Sequence, residues 1–332
     1  MRVNAYVRGA LSSKSAIFAL TLVLSVDGFA FAQAQPIRIG ILGPDEEPRL
    51  SELVGGLKQG LNDLGYSATS LDILETRVTR GDQPGALSAV EGLMRRQVKM
   101  LFVIGSELAK LARQVSSEIQ IVFLTPGDPV AAGVVSSLAH PGGNMTAMTF
   151  EFPELSGKRL ELLKEAVPRS QRVVIIYDPR DASPMQGVAV VRSAAPSLSM
   201  RLREQAVRNR EELTRALNSL NRSEVILGIP GGFPSSHFAE IIRVANTKKA
   251  ATMFHSHTAA TLDALASYGA NDANIARQAA RLVDKILKGT KAGDIPVERP
   301  LKLEFVINLK TAKQIGLTIP PNVLVRADRV IR

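Results

Sequence analysis

The chain has 332 residues, 45% of them hydrophobic and 5% aromatic, with a formal charge of +10 and a pI of about 10.0. It contains no cysteine, which excludes disulfides, thiolate metal sites, cysteine nucleophiles and a lipid-modified cysteine. Lys and Arg never run longer than two, as at Arg95-Arg96 and Lys248-Lys249. No basic segment is interleaved with aromatics, so the charge reads as a solvated surface and nucleic acid is not an expected partner.

The first element is a leader. Arg2, Arg8 and Lys14 precede the apolar run "AIFALTLVLSV" (16–26), which is short for a membrane span. Small residues follow in the spacing a signal peptidase accepts, predicting a signal peptide over 1–32 cleaved after Ala32, or after Ala34. The mature protein is then exported to the periplasm, with no further segment apolar enough to cross a membrane.

From Pro36 on, apolar runs alternate with amphipathic stretches. "IRIGIL" (37–42) predicts a strand, and Pro48 opens a helix that Gly65 closes. A strand near "SLDIL" precedes a helix from about Pro84 to Val98. "MLFVIG" (100–105) leads into a helix over about 106–117, and "IVFLT" (121–125) is the fourth strand. The rhythm restarts after residue 150, with helices expected at 154–167, after Pro184, at 210–220 and at about 235–249. Strands are expected at 172–177, near 200–205, at 224–229 and at 251–255. Such alternation predicts an α/β protein with two Rossmann-like lobes, each a parallel sheet covered on both faces. The lobes are expected at 36–150 plus about 270–292, and at 151–269 plus about 293–332, with "MTAMTF" (145–150) between them and several crossings forming a hinge. Ligands of open α/β sheets bind at the carboxyl ends of the strands.

The signatures of common chemistries are missing. The sequence has no G-x-G-x-x-G, Walker A loop, H-E-x-x-H or G-x-S-x-G. His255-Ser256-His257 offers two metal-ligand side chains, but a site needs at least one more and none is marked, so neither metal nor cofactor is expected. Asp45, Glu46 and Glu47 lie in the first strand–helix loop, where carboxylates usually answer a helix dipole. Ser106 follows Gly105 at a helix start, which suits an N-cap; the same helix end also offers N–H groups to a carboxylate.

At "IVFLTPGDPVAAGVVSSLAHPGGNMT" (121–146) the chain strongly resembles one family, the periplasmic substrate-binding proteins of ABC transporters, in the clade of tryptophan- and tyrosine-type uptake proteins. "KRLELLKE-x-x-P" (158–168), "SYG" (267–269), "ILKG" (286–289), "PVE" (296–298) and "INLKTAKQIGLTIPPNVLVRADRVI" (307–331) continue the match in order. The resemblance covers essentially the whole mature chain. It implies the type I binding-protein fold, closure of two lobes on a small solute without catalysis, and delivery to an ABC permease by a monomer. Two positions depart from the family pattern: Asp178-Pro179 stands for Asn-Pro, and Thr146-Ala147 for Thr-Gly.

On that basis the expected site draws on Pro44, Asp45, Gly105, Ser106, Thr125 and Asp128 in the first lobe, and on Asp178, Phe233 and His255 in the second. Thr125 and loop N–H groups suit a ligand carboxylate, and Phe233 a flat apolar group. Asp128 and Asp178 suit an ammonium, with Asp128 equally suited to capping a following helix. An amino-acid-like solute follows. The alternatives are a periplasmic sensing subunit that binds the same solute for a receptor, and an enzyme on this fold using His255 or Asp128.

Overall fold

The first strand, β1 (Ile37–Pro44), is followed by α1 (Leu50–Asp63), β2 (Leu71–Val78), α2 (Gln83–Arg95), β3 (Met100–Ile104), α3 (Ser106–Val115), β4 (Gln120–Pro126) and β5 (Met145–Glu151). In the computed structural model, which describes residues 35–45, 50–79, 81–180 and 182–332, these strands form one parallel sheet in the order β2-β1-β3-β4-β5. The predicted leader and its cleavage sites, together with Glu46, Glu47 and Pro48, lie outside the described residues.

The chain continues through α4 (Pro153–Ala166), β6 (Arg172–Tyr177), α5 (Ala182–Ala194), β7 (Arg201–Ala206), α6 (Arg210–Asn218), β8 (Glu224–Gly228), α7 (Gly232–Ser236), α8 (Phe238–Thr247), β9 (Ala251–Phe254) and α9 (His257–Thr261). It ends with β10 (Ala266–Gly269), α10 (Asp272–Leu287), β11 (Glu304–Asn308), α11 (Leu309–Ile315), α12 (Pro321–Arg326) and β12 (Arg329–Ile331). The second sheet has the order β12-β11-β10-β9-β8-β6-β7, parallel except where β10 meets β11.

Burial explains why these runs are strands. β3 is buried along its whole length, because a parallel strand with helices on both sides has no solvent face. Side chains alternate between two cores. Ile39, Ile41, Phe102, Val122 and Leu124 face α1 and α10; Leu42, Leu101, Val103, Ile121 and Phe123 face α2 and α3. The second sheet is built likewise, with Val173, Ile175 and Leu227 on one side and Val174, Ile176 and Ile226 on the other. Although α10 follows the second lobe's β10 in sequence, it packs its Ile275, Ala276, Ala279 and Ala280 into the first sheet's core.

Two expectations change. "MTAMTF" does not link the lobes: it is the body of edge strand β5, with Met145 paired to Ile121 and Met148 to Leu124. Its threonines mislead because both are buried with their hydroxyls satisfied, Thr146 Oγ1 donating to Ile295 O at 2.8 Å and Thr149 Oγ1 to Gly127 O at 2.5 Å. The helix expected at 235–249 breaks at His237 into α7 and α8. The turn of helix at α9 was not foreseen.

One contact of this scaffold titrates. Tyr66, just after α1, donates its hydroxyl to Asp284 of α10 at 2.9 Å. Burial first, then the bond to Asp284 and its charge, push the phenol up from 10.0 to about 12. A folded pKa above the unfolded value gives stability that is complete below pH 10 and is lost as pH rises towards 12. Tyr66→Phe is therefore expected to lose part of the fall in melting temperature over that window, while an absorbance titration showing Tyr66 ionising near 10 would contradict it.

Candidate ligand-binding site

Each sheet presents the carboxyl ends of its parallel strands on one edge, and one contact shows that these edges face each other. Glu52 lies in the first turn of α1, after β1; Thr258 lies in the first turn of α9, after β9. Thr258 Oγ1 donates to Glu52 Oε2 at 2.9 Å, across 206 residues of sequence. His257 Nδ1 lies 4.0 Å from the other oxygen, Glu52 Oε1. Arg329 Nη1 sits 3.1 Å from His257 Nε2. A guanidinium only donates, so Nε2 accepts and the imidazole proton is on Nδ1, towards Glu52. Neither Glu52 nor Thr258 carried a sequence signal, because their meeting depends on the topology.

On the first lobe, Ser106, Thr125 and Gly105 come together where β3 and β4 end. Gly105 adopts φ 107° and ψ 141°, a region L side chains rarely enter, and a Cβ there would meet no described atom within 4 Å. The residue before α3 thus lacks a side chain to cap the helix, and the space above it is open. Ser106 is therefore the first helical residue and not the cap expected from its sequence position. Its Oγ lies 2.5 Å from Thr125 Oγ1, which also donates to Pro126 O at 3.2 Å. Thr125 itself is buried.

Pro44 and Asp45 end the neighbouring strand. Pro44 is buried and paired with Val78; Asp45 receives Thr79 Oγ1 at 2.8 Å, so its carboxylate is turned towards β2. Asp128 is exposed, and its Oδ1 accepts the N–H groups of Val130 at 2.7 Å and Ala131 at 3.3 Å. No helix follows it, contrary to the expectation of a helix cap; the chain turns through 129–133 and Asp128 closes that turn. The "PGGN" stretch is scaffold. Asn144 Nδ2 donates to the carbonyls of Ser116 and Ile119, and Gly142 N to Gly293 O.

On the second lobe, Gly231 repeats the backbone of Gly105, with φ 103° and ψ 165° before α7. Asp178 follows β6 directly, 4% exposed, and Arg180 grips it by two nitrogens at 2.9 and 2.7 Å. Burial raises the carboxyl's pKa, but hydrogen bonds from the Arg180 side chain and from the N–H groups of Arg180 and Phe233 outweigh it and hold Asp178 below the usual carboxylate range. Phe233 is half-buried and stacks on His237 at 4.0 Å. His255 is buried at the end of β9, where it lines a small apolar cavity beneath α7 with Ile176, Pro234, Phe238 and Phe254. The site expectation thus missed Arg180, although its two-residue spacing from Asp178 was readable. It also missed that Arg159 of "KRLELLKE" is fully buried and donates to Tyr268 O of "SYG" at 2.6 Å, which joins two of the matching stretches.

A family model described as ABC transporter substrate binding protein matches residues 38–331. A tyrosine-binding protein of Clostridioides difficile (strain R20291) is 26% identical over 280 residues, 84% of this chain and 81% of that one. Among solved structures, a conserved domain protein from Vibrio cholerae superposes with a TM-score of 0.80 at 25% identity, over 89% of this chain and 99% of that one. An ABC domain from Streptococcus pneumonia in complex with L-Trp gives 0.79 at 22% identity, over 89% and 100%.

Proposed function

The chain belongs to the ABC transporter substrate binding proteins, matched over residues 38–331, and from that premise we propose that it captures an amino-acid-like solute between its lobes and delivers it to a membrane permease. The observation that carries this reading is the Glu52–Thr258 hydrogen bond, which brings the carboxyl edges of the two sheets face to face. The first lobe comprises 36–151 with about 270–298, because Ile295 and Val297 pack against its cores and Glu298 bridges to Met148, and the second comprises 152–269 with about 299–332. The protein acts as an exported monomer in the periplasm after cleavage at Ala32 or Ala34.

The ligand's carboxylate sits at the start of α3. There the helix dipole and first-turn N–H groups favour an anion, Gly105 leaves the space open, and the Ser106 hydroxyl supplies a further donor. Phe233 provides an apolar face on the opposite lobe. Relatives that bind tyrosine and L-Trp support an amino acid. Binding shifts a population: a ligand that touches both lobes gains its full contacts only when they are closed.

The test is direct. L-tyrosine or L-tryptophan is expected to raise the melting temperature by mass action, to lower the radius of gyration in solution scattering, and to be recovered chemically unchanged. If no amino acid does the first two, the reading fails; if the ligand is converted, the protein is an enzyme.

A further inference from the structure

The second lobe carries at its strand ends a carboxylate that its own chain has already filled. Asp178 Oδ1 accepts Arg180 N at 3.0 Å and Arg180 Nε at 2.9 Å; Oδ2 accepts Arg180 Nη2 at 2.7 Å and, as the longest of the four, Phe233 N at 3.4 Å. Two carboxylate oxygens offer about four lone-pair sites. An ammonium from a ligand therefore has to displace a bond that already exists. Arg180 is further held from outside, because Nη2 also donates to Arg208 O at 2.7 Å. The guanidinium is thereby tied to the segment that leads into α6.

The fourth bond reaches a residue of the proposed site. Phe233 is fixed at both ends of its backbone unit: its N–H points to Asp178, and its carbonyl lies 3.0 Å from His237 Nδ1. A carbonyl only accepts, so that nitrogen carries the proton. The same His237 ring stacks against the Phe233 ring, with 29° between the planes. Gly231, in its positive-φ conformation, lets the chain leave β8 and enter α7 at the angle this requires.

We propose that Asp178 is a positioning residue, clamped by Arg180, which sets Phe233 as the ring-contacting face of the second lobe and does not read the ligand's ammonium. This rests on the amino-acid reading of the site and adds to it how one wall is held. It replaces the sequence-based expectation that Asp178 binds the ammonium. It also assigns Arg180 a part in selectivity: without its side chain a buried carboxylate loses two of its four donors, and the anchor of the first turn of α7 is no longer clamped.

The experiment compares wild type, Asp178→Asn and Arg180→Ala by calorimetry with three probes. L-tryptophan has ring and ammonium, indole-3-propionate has the ring but no ammonium, and L-leucine has the ammonium but no ring. Positioning predicts that both variants weaken L-tryptophan and indole-3-propionate alike, by about tenfold, and L-leucine much less. A variant that merely destabilised the fold would leave the ratio of L-tryptophan to L-leucine affinity unchanged. If Asp178→Asn weakens L-tryptophan but spares indole-3-propionate, or if Arg180→Ala tightens L-tryptophan, Asp178 contacts the ammonium and the proposal is overturned. Should wild type bind none of the three, the amino-acid reading is what fails. The Phe233 amide then decides the proposal alone. In the ligand-free protein its hydrogen exchange accelerates several-fold in both variants if Asp178 holds it, and stays as in wild type if not.

Discussion

Gly269→Ala is expected to cost about 3 kcal/mol of stability, the upper end for enlarging a residue in a packed interior. Gly269 is buried at the end of β10, where β9 turns away, and a Cβ there would lie 1.8 Å from the carbonyl oxygen of His255 and 2.9 Å from its carbon. Both are backbone atoms, so no side chain can swing aside. β10 is hemmed in on its other side by β11, with Gly269 opposite Glu304. The strain is therefore relieved only by moving the end of β9 or β10, next to the crossing into α10. For a chain of this size the melting temperature should fall by on the order of 5 °C or more, read by circular dichroism. A variant that melts with wild type would mean that the two strands stand further apart than described.

The largest effect on binding is expected at Ser106. Thr125 donates to Pro126 O, so the Ser106 hydroxyl donates to Thr125. A carboxylate at the start of α3 reverses the pair: Ser106 turns its proton to the ligand, and Thr125 turns its own to Ser106. Ser106→Ala removes a hydrogen bond to a charged group, about 1.5–3 kcal/mol, so affinity for the cognate amino acid should fall by about ten- to a hundredfold. Thr125→Val keeps the buried shape and removes the support for Ser106 together with the bond to Pro126 O, without a direct contact to the ligand, so its loss should be smaller, within about tenfold. Neither change touches a helix cap, since Gly105 occupies that position, and the ligand-free melting temperature should move little for Ser106→Ala. Calorimetric titration separates the two variants. Unchanged affinity in both would remove the carboxylate from this end of α3.

How much of this was readable depends on what each residue's signal was made of. β1, β3 and β4 announced themselves because parallel strands buried on both faces must be apolar throughout. β5 did not, since its buried Thr146 and Thr149 look polar until their backbone acceptors are known. The Gly105-Ser106 and Thr125-Pro126-Gly127-Asp128 junctions were visible as abrupt stops after apolar runs, and the fold does place Ser106 and Thr125 in contact. What each carboxylate does was not visible. Asp45 turns to Thr79, Asp128 to its own turn and Asp178 to Arg180, because a carboxylate takes the nearest donors and local loop geometry decides which these are. Glu52 and Thr258 were out of reach, since only the crossing topology brings them together.

Hydrogen exchange read by mass spectrometry, with each amino acid added in turn to wild type, tests most directly whether one ligand bridges the two sheets. A cognate amino acid should slow exchange in residues 104–108 and 125–128 of the first lobe and in residues 231–236 of the second, at the same ligand concentration. Protection confined to one lobe, or absent from all three segments while a ligand is demonstrably bound, would contradict a site shared between the facing strand ends.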